Sequence, residues 1–433
     1  MHTPSTTSRL TRRAVPLLAI LATACGNLTK VDAPDVVQPG SVANPTGAQA
    51  LRIGAISRFY LTVTSLANST GLVSDELIAG YFNSNEDKRL LSTQPTTLTT
   101  LGAAGWIYGS QARLNSLQAV AALRQYAPTP AANIGELFSV VAYTELFFGE
   151  DVCSPVPLGS TVAGQFTFGV PIARDDMLRR AAADFDSALA LSTDTARFLN
   201  LARVGKARAL QQLGRHTEAA AAVAAVPTSF VFQAEFTAAV SLQQNTVYSG
   251  MFGKSFGVAD REGGNGLDFR SANDPRVPTV FVGQGQDPVD IYRFGPYTSL
   301  ASPITLASGI EARLIEAEAL LSTGDAAGAV AKLNALRATS ITPALAPLTL
   351  QATTTAQVDQ LFRERGFWLF ATGHRLGDLR RLARQYGRPV ESIFPTGIYR
   401  QGSPYGPGVT LTPDQSELNN PNFVNTVCDN RIP

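Results

Sequence analysis

Two stretches of this chain carry the same helix–glycine–helix pattern, and that pattern restricts the fold to helices packed in pairs. In the first, Phe198, Leu201, Ala202, Gly205, Ala209 and Leu213 recur at helical spacing and form one apolar face. Leu213-Gly214-Arg215 interrupts the helix, and Ala219, Val223 and Val226 line a second one. In the other stretch, Ile310, Leu314, Ala317 and Leu321 lead to Gly324-Asp325, and Ala329, Leu333 and Leu336 follow. No helix of such a pair can bury its apolar stripe alone, so each unit needs neighbours. The same periodicity predicts helices over 48–68, 103–126, 133–149 and 175–191. Ile134, Leu137, Phe138, Val141 and Leu146 share a face in the third, and Met177, Ala181, Phe185 and Ala188 in the fourth. The fold class is therefore mainly α.

The string Leu-Gly-Arg-His-Thr-Glu-Ala-Ala at 213–220 resembles the turn of a tetratricopeptide repeat, where glycine ends one helix and a small alanine lets the next pack closely. The two turn glycines lie 110 residues apart, too far for a continuous repeat array, so a long insertion separates the pairs. That insertion, about 228–306, is rich in Gly, Asn, Asp, Pro and aromatic residues without helical period. It reads as short strands and long loops, the kind of segment that carries function on a helical scaffold. Residues 159–169 read as a loop, and the tail from Arg388, with Pro389, Pro395, Pro404, Pro407 and Pro413, is also loop-like.

The first residues are of another kind. Arg9, Arg12 and Arg13 precede a short apolar run from Ala14 to Leu21, too short to span a bilayer, and Ala22-Thr23-Ala24-Cys25 follows. The small residues before Cys25 suit a signal peptidase, and the arrangement resembles the lipobox of bacterial lipoproteins. It implies lipidation of Cys25 and removal of residues 1–24; an ordinary secretory signal is the alternative. Residues 25–46 then form a lipid anchor and flexible tether, and 47–433 a single domain with the helix pairs at about 197–226 and 310–338. The net charge of +1 falls to −2 without the three leading arginines, which leaves no field for nucleic acid. Cys153 and Cys428 remain, and an exported protein with one such pair often joins them, so a disulfide is expected; two unrelated buried thiols are the alternative.

A search for catalytic or metal chemistry yields little. After His2, the histidines are His216 and His374, on different helices, and no Cys-x-x-Cys exists, so neither a zinc site nor another cofactor is expected. Asn83-x-Asn85-x-Asp87 begins like a calcium loop but lacks its glycine and closing glutamate. Gly253-Lys254-Ser255-Phe256-Gly257 satisfies the G-x-S-x-G pattern of serine hydrolases, yet its flanks do not read as the strand and helix that such an elbow needs.

The helix of Val358, Leu361, Phe362, Trp368 and Leu369 runs into a charged segment, in which Glu364, Arg365, Arg375 and Asp378 are expected to form an ion network where helices pack. Glu364-Arg365-Gly366-Phe367-Trp368-Leu369-Phe370-Ala371-Thr372-Gly373-His374-Arg375, followed by Asp378-Leu379-Arg380-Arg381, resembles the C-terminal signature of the SusD/RagB family of outer-membrane nutrient-binding lipoproteins. Further matches keep that family's order: Ser74-Asp75-Glu76, Trp106-x-Tyr108 with Asn115, Asp184 to Leu189, Asn273-Asp274-Pro275-Arg276, Glu316 to Ala319, Leu333 to Arg337, and Pro413 with Glu417 and Asn420-Pro421-Asn422.

The resemblance implies a SusD-like α superhelical scaffold of tetratricopeptide-like helix pairs with an irregular loop-rich region. It also implies a non-enzyme, held to the outer membrane by its lipid and exposed at the cell surface. Such a protein presents a glycan, or in some cases a peptide, to a SusC-like TonB-dependent transporter. Sugars are held by aromatic faces, so the candidate ligand-binding residues are the aromatics in loop-like sequence and one polar neighbour: Tyr81, Phe82, Asn83, Tyr248, Phe252, Phe256, Tyr292, Phe294 and Tyr297. Asn85, Asp260 and Arg261 are further hydrogen-bonding candidates, and Trp106 and Trp368 are read as core. A helical-repeat scaffold of the cell envelope without a small-molecule ligand is the alternative function.

Overall fold

Asn44 starts the first helix by accepting a hydrogen bond from the Gly47 N–H at 2.9 Å, which satisfies one of the donors a helix N-terminus leaves unpaired. The computed structural model describes residues 42–80, 103–162, 165–286, 288–399, 404–423 and 428–433. Cys25 and the segment holding Tyr81, Phe82, Asn83, Asn85 and Asp87 lie outside the described residues. The chain runs from helix α1 (Pro45–Val73) through strand β1 (Leu77–Ala79) to α2 (Ala103–Tyr126) and α3 (Ala131–Asp151). Strands β2 (Ser160–Val162) and β3 (Gln165–Thr167) form a hairpin where the sequence suggested only a loop. Pairing across so short a connection depends on backbone bonds rather than on an apolar alternation.

Helices α4 (Arg174–Leu191), α5 (Ala196–Gln212) and α6 (His216–Val223) follow, and α5–α6 is the first helix–glycine–helix unit. The second is α8 (Gly309–Ser322) with α9 (Ala326–Thr339). Gly214 and Gly324 adopt φ of +74° and +89°, the left-handed conformation that ends a helix and that glycine adopts without a Cβ penalty. Asp325 then caps α9 by accepting from the Gly328 N–H at 2.8 Å. Close approach fixes the packing of α5 on its neighbours, since a Cβ at Gly205 would lie 2.2 Å from the Phe185 ring on α4. Among these helices α3 is buried around nearly its whole circumference, with α1, α2, α4 and α5 packed about it.

The insertion closes on itself. Its first strand β4 (Val231–Ala234) pairs antiparallel with its last, β8 (Ile304–Ser308), so the chain returns to where it left and α8 packs beside α6. The helix pairs are thereby neighbours in space despite their separation in sequence. Between these strands come helix α7 (Thr246–Phe252), strand β5 (Phe256–Val258), which pairs with β1, and a hairpin of β6 (Thr279–Gln284) and β7 (Asp290–Phe294). Helices α10 (Thr354–Trp368), α11 (Arg375–Tyr386) and the short α12 (Val390–Ile393) complete the scaffold. The architecture is mainly helical with four two-stranded ladders among the described residues. No helix of the described residues is long and apolar enough to cross a membrane. Cys153 and Cys428 are joined, with Cα atoms 5.5 Å apart, and Phe423 packs on them.

Candidate ligand-binding surface

The charged signature folds into a clamp of buried ion pairs. Arg365 donates two hydrogen bonds to Asp378, at 2.8 and 2.9 Å, and Arg381 donates a third at 2.7 Å. Burial favours the neutral acid, but the Arg365 and Arg381 guanidiniums outweigh it and hold Asp378 well below the usual carboxylate range. Glu364 does not join that group. It accepts instead from Arg276 and Arg337, each at 2.6 Å. Arg375 binds Asp75, and the neighbouring Glu76 accepts from the Ala371 N–H at 2.9 Å. Burial pushes the Glu76 carboxyl up to about 8. Arg276 and Arg337 on Glu364 and Arg375 on Asp75 join segments 27 to 300 residues apart, which fixes one arrangement of helices and insertion.

The aromatic candidates separate into two groups. Asn245 accepts from the Tyr248 N–H at 3.0 Å and so begins α7, while Thr246 bonds Thr64 and Asn68 and seats that helix on α1. Val247 and Met251, one turn apart, are buried beneath it. Tyr248 and Phe252 are also one turn apart, and their rings stack at 5.6 Å with planes inclined by 16°. Phe252 is 62% exposed.

Beside α7 stands the β6–β7 hairpin, tied to it by the Phe294 N–H, which donates to the Met251 sulfur at 3.3 Å. On the hairpin Phe281 and Tyr292 face each other across the ladder with ring centroids 5.3 Å apart. Phe281 is 54% exposed, and the Arg270 guanidinium lies 4.5 Å from the Tyr292 centroid. Gly80, the residue before Tyr81, packs against Lys254 and Gly285 at the edge of this surface.

Phe256, Phe294 and Tyr297 belong to the second group. They are buried, so these three ligand candidates pin the insertion to the helices instead of facing outward. A Cβ at Gly250 would lie 2.2 Å from the Phe256 ring, so that ring fills the space under α7. Phe294 and Tyr297 meet edge to face at 5.1 Å and form part of the wall of a pocket that opens to the surface beside Val231. Asp260 is occupied in a turn, accepting from the Arg270 and Ser271 N–H groups at 3.1 and 2.9 Å, whereas Arg261 is exposed. Sequence reasoning missed Phe281 and Arg270. The β-branched run around Phe281, Thr279-Val280-Phe281-Val282, was the available signal. Of the two tryptophans, Trp106 is core and stacks on Phe148 at 4.5 Å, but Trp368 is only half-buried and lines the same pocket as Phe294.

Ser255 does not occupy a nucleophile elbow. The chain runs from helix α7 through Ser255 into strand β5, the reverse of the strand–turn–helix order that strains and presents a catalytic serine. The ring of His374 is engaged by Arg208, Glu311 and Thr372 at 2.9, 3.1 and 2.8 Å.

No protein-family model and no curated protein sequence matches this chain. Solved structures do. A SusD superfamily protein from Bacteroides fragilis superposes with a TM-score of 0.62 at 16% identity, covering 87% of this chain and 97% of that one. A SusD/RagB family protein from Bacteroides thetaiotaomicron gives 0.61 at 15% identity, with 89% and 96% covered. A SusD-like carbohydrate binding protein from Bacteroides vulgatus gives 0.57 at 13% identity, with 78% and 83% covered. Coverage of 78–97% at such low identity is a likeness of architecture, and this chain shares the fold of these SusD-like structures.

Proposed function

We propose that this chain is a substrate-binding protein that captures a nutrient, a glycan in the first instance and a peptide in the second, on the surface formed by α7 and the β6–β7 hairpin. The observation that carries this reading is a pair of aromatic couples in which an exposed phenylalanine meets a half-buried tyrosine, Phe252 with Tyr248 and Phe281 with Tyr292. An exposed ring offers a flat apolar face to the C–H side of a sugar, and Arg270 supplies donors at its margin. One of the structurally similar proteins is described as carbohydrate binding, which supports the same ligand class. The Cys25 lipobox and the signature resemblance extend the reading to a lipid-anchored protein at the outer-membrane surface that hands its ligand to a SusC-like TonB-dependent transporter.

Calorimetric titration against a panel of neutral oligosaccharides and short peptides tests the ligand. Phe252→Ala with Tyr292→Ala is expected to weaken binding about tenfold or more, by the loss of two stacking faces. Unchanged affinity in that double variant removes the surface from consideration. Affinity purification of the full-length protein from its own membranes tests the partner: a barrel transporter should accompany it, and its absence favours a repeat scaffold.

A further inference from the structure

Trp368, whose helical spacing assigns it to the core, stands at the end of α10 and forms part of the wall of a pocket of about 320 Å³. Phe294, Tyr297 and Phe370 supply the other aromatic walls. Tyr297 is fixed by its hydroxyl, which donates to the Ala371 carbonyl at 2.9 Å, so the rings are held in place before any ligand enters. Gln233 and Thr305 also line the pocket and are direct partners across the β4–β8 ladder. Their side chains make no hydrogen bond among the described residues.

Charge at this pocket is already balanced. Glu311 and His374 both line it and lie 3.1 Å apart, and Arg208 contacts the same histidine ring at 2.9 Å. A charged ligand would meet no free counter-charge there and would lose its hydration without replacement. A neutral ligand with an apolar face and several hydroxyls would find rings for the first, and an amide and a hydroxyl for the second. The volume lies at the lower end of small-molecule sites, which run from about 300 Å³ upward, and is enough for one ring.

We infer that this pocket binds a single neutral sugar ring. Tyr248, Phe252, Phe281 and Tyr292 do not line it, so the inference stands independently of the exposed aromatic surface.

The chain has two tryptophans, so labelling the whole protein with 5-fluorotryptophan gives two fluorine resonances, and Trp368→Phe assigns them. D-glucose, D-galactose, D-mannose and D-xylose are each titrated to about 50 mM, the range in which weak single-ring binding is read. At least one is expected to move the Trp368 resonance saturably while the Trp106 resonance, which also reports intact folding, stays in place. Gln233→Ala is expected to weaken that binding about fivefold through the loss of one hydrogen-bonding group, and Phe252→Ala to leave it unchanged. A Trp368 resonance unmoved by all the sugars overturns the inference, as does a movement that neither Gln233→Ala nor Thr305→Val weakens.

Discussion

Asp75 and Arg375 are 300 residues apart in sequence, and the Arg375 guanidinium donates to both carboxylate oxygens of Asp75, at 2.6 and 2.8 Å. The same relation recurs among the other short motifs. Arg276 and Arg337 meet on Glu364, and Glu318 accepts from Arg381. Segments that look weak one at a time are therefore partners of one another.

Replacing Arg375 with methionine leaves the Asp75 carboxylate buried and unopposed. It is expected to cost about 3–5 kcal/mol in urea unfolding. Adding Asp75→Asn removes the stranded charge, so the double variant should be more stable than Arg375→Met alone. Additive losses would contradict the pairing.

Glu76 makes stability depend on pH in an unusual direction. Its folded pKa of about 8 lies above the ordinary carboxyl value of 4.5, because burial disfavours the charged form. The folded state then keeps a proton that the unfolded chain releases, so this contribution is complete below 4.5 and is lost as pH rises toward 8. Glu76→Gln mimics the protonated acid. Thermal melts across this range should show no gain at the acid end and a gain of about 2–4 kcal/mol near pH 8.

The Cys153–Cys428 bond spans 275 residues and holds the C-terminal segment against the end of α3. Closing so long a loop restricts the unfolded chain, and reduction is expected to lower stability by up to about 5 kcal/mol. In a Cys25→Ser protein, unfolded without reductant, thiol titration should find no reactive group. Two reactive thiols would show that the cysteines are not joined.

Two glycines with different surroundings should respond differently. At Gly205 a Cβ would meet Phe185 and Tyr143, at 2.2 and 2.8 Å, so Gly205→Val should cost about 3 kcal/mol or more and loosen the α3–α4–α5 contact. At Gly324 a Cβ meets open space, and the strain of φ +89° alone is expected to cost about 1 kcal/mol in Gly324→Ala. Chemical denaturation of both variants separates crowding from backbone strain.

Phe252 and Phe256 lie four residues apart and have opposite roles. Phe252→Ala should change stability by no more than about 0.5 kcal/mol, whereas Phe256→Ala should lose about 3–5 kcal/mol by opening a cavity under α7. Melting temperatures of the two single variants decide it.

The sequence by itself determined the helices and their pairing. Apolar residues at helical spacing and the glycines at 214 and 324 are local properties, and local properties survive reading one residue at a time. It also marked the charged segments that meet in the clamp, without saying which carboxylate each arginine would take. The tertiary structure alone decided which aromatics are exposed. In the insertion no period distinguishes an inward ring from an outward one, and the choice follows from how β4 closes on β8 and how α7 sits on α1. Tyr292 and Phe294 differ in burial although they share one strand, and Trp368 stands at the margin of the core in a pocket wall formed by four separate segments. Burial depends on what packs opposite a residue, and in this fold the opposing surface comes from residues tens to hundreds of positions away.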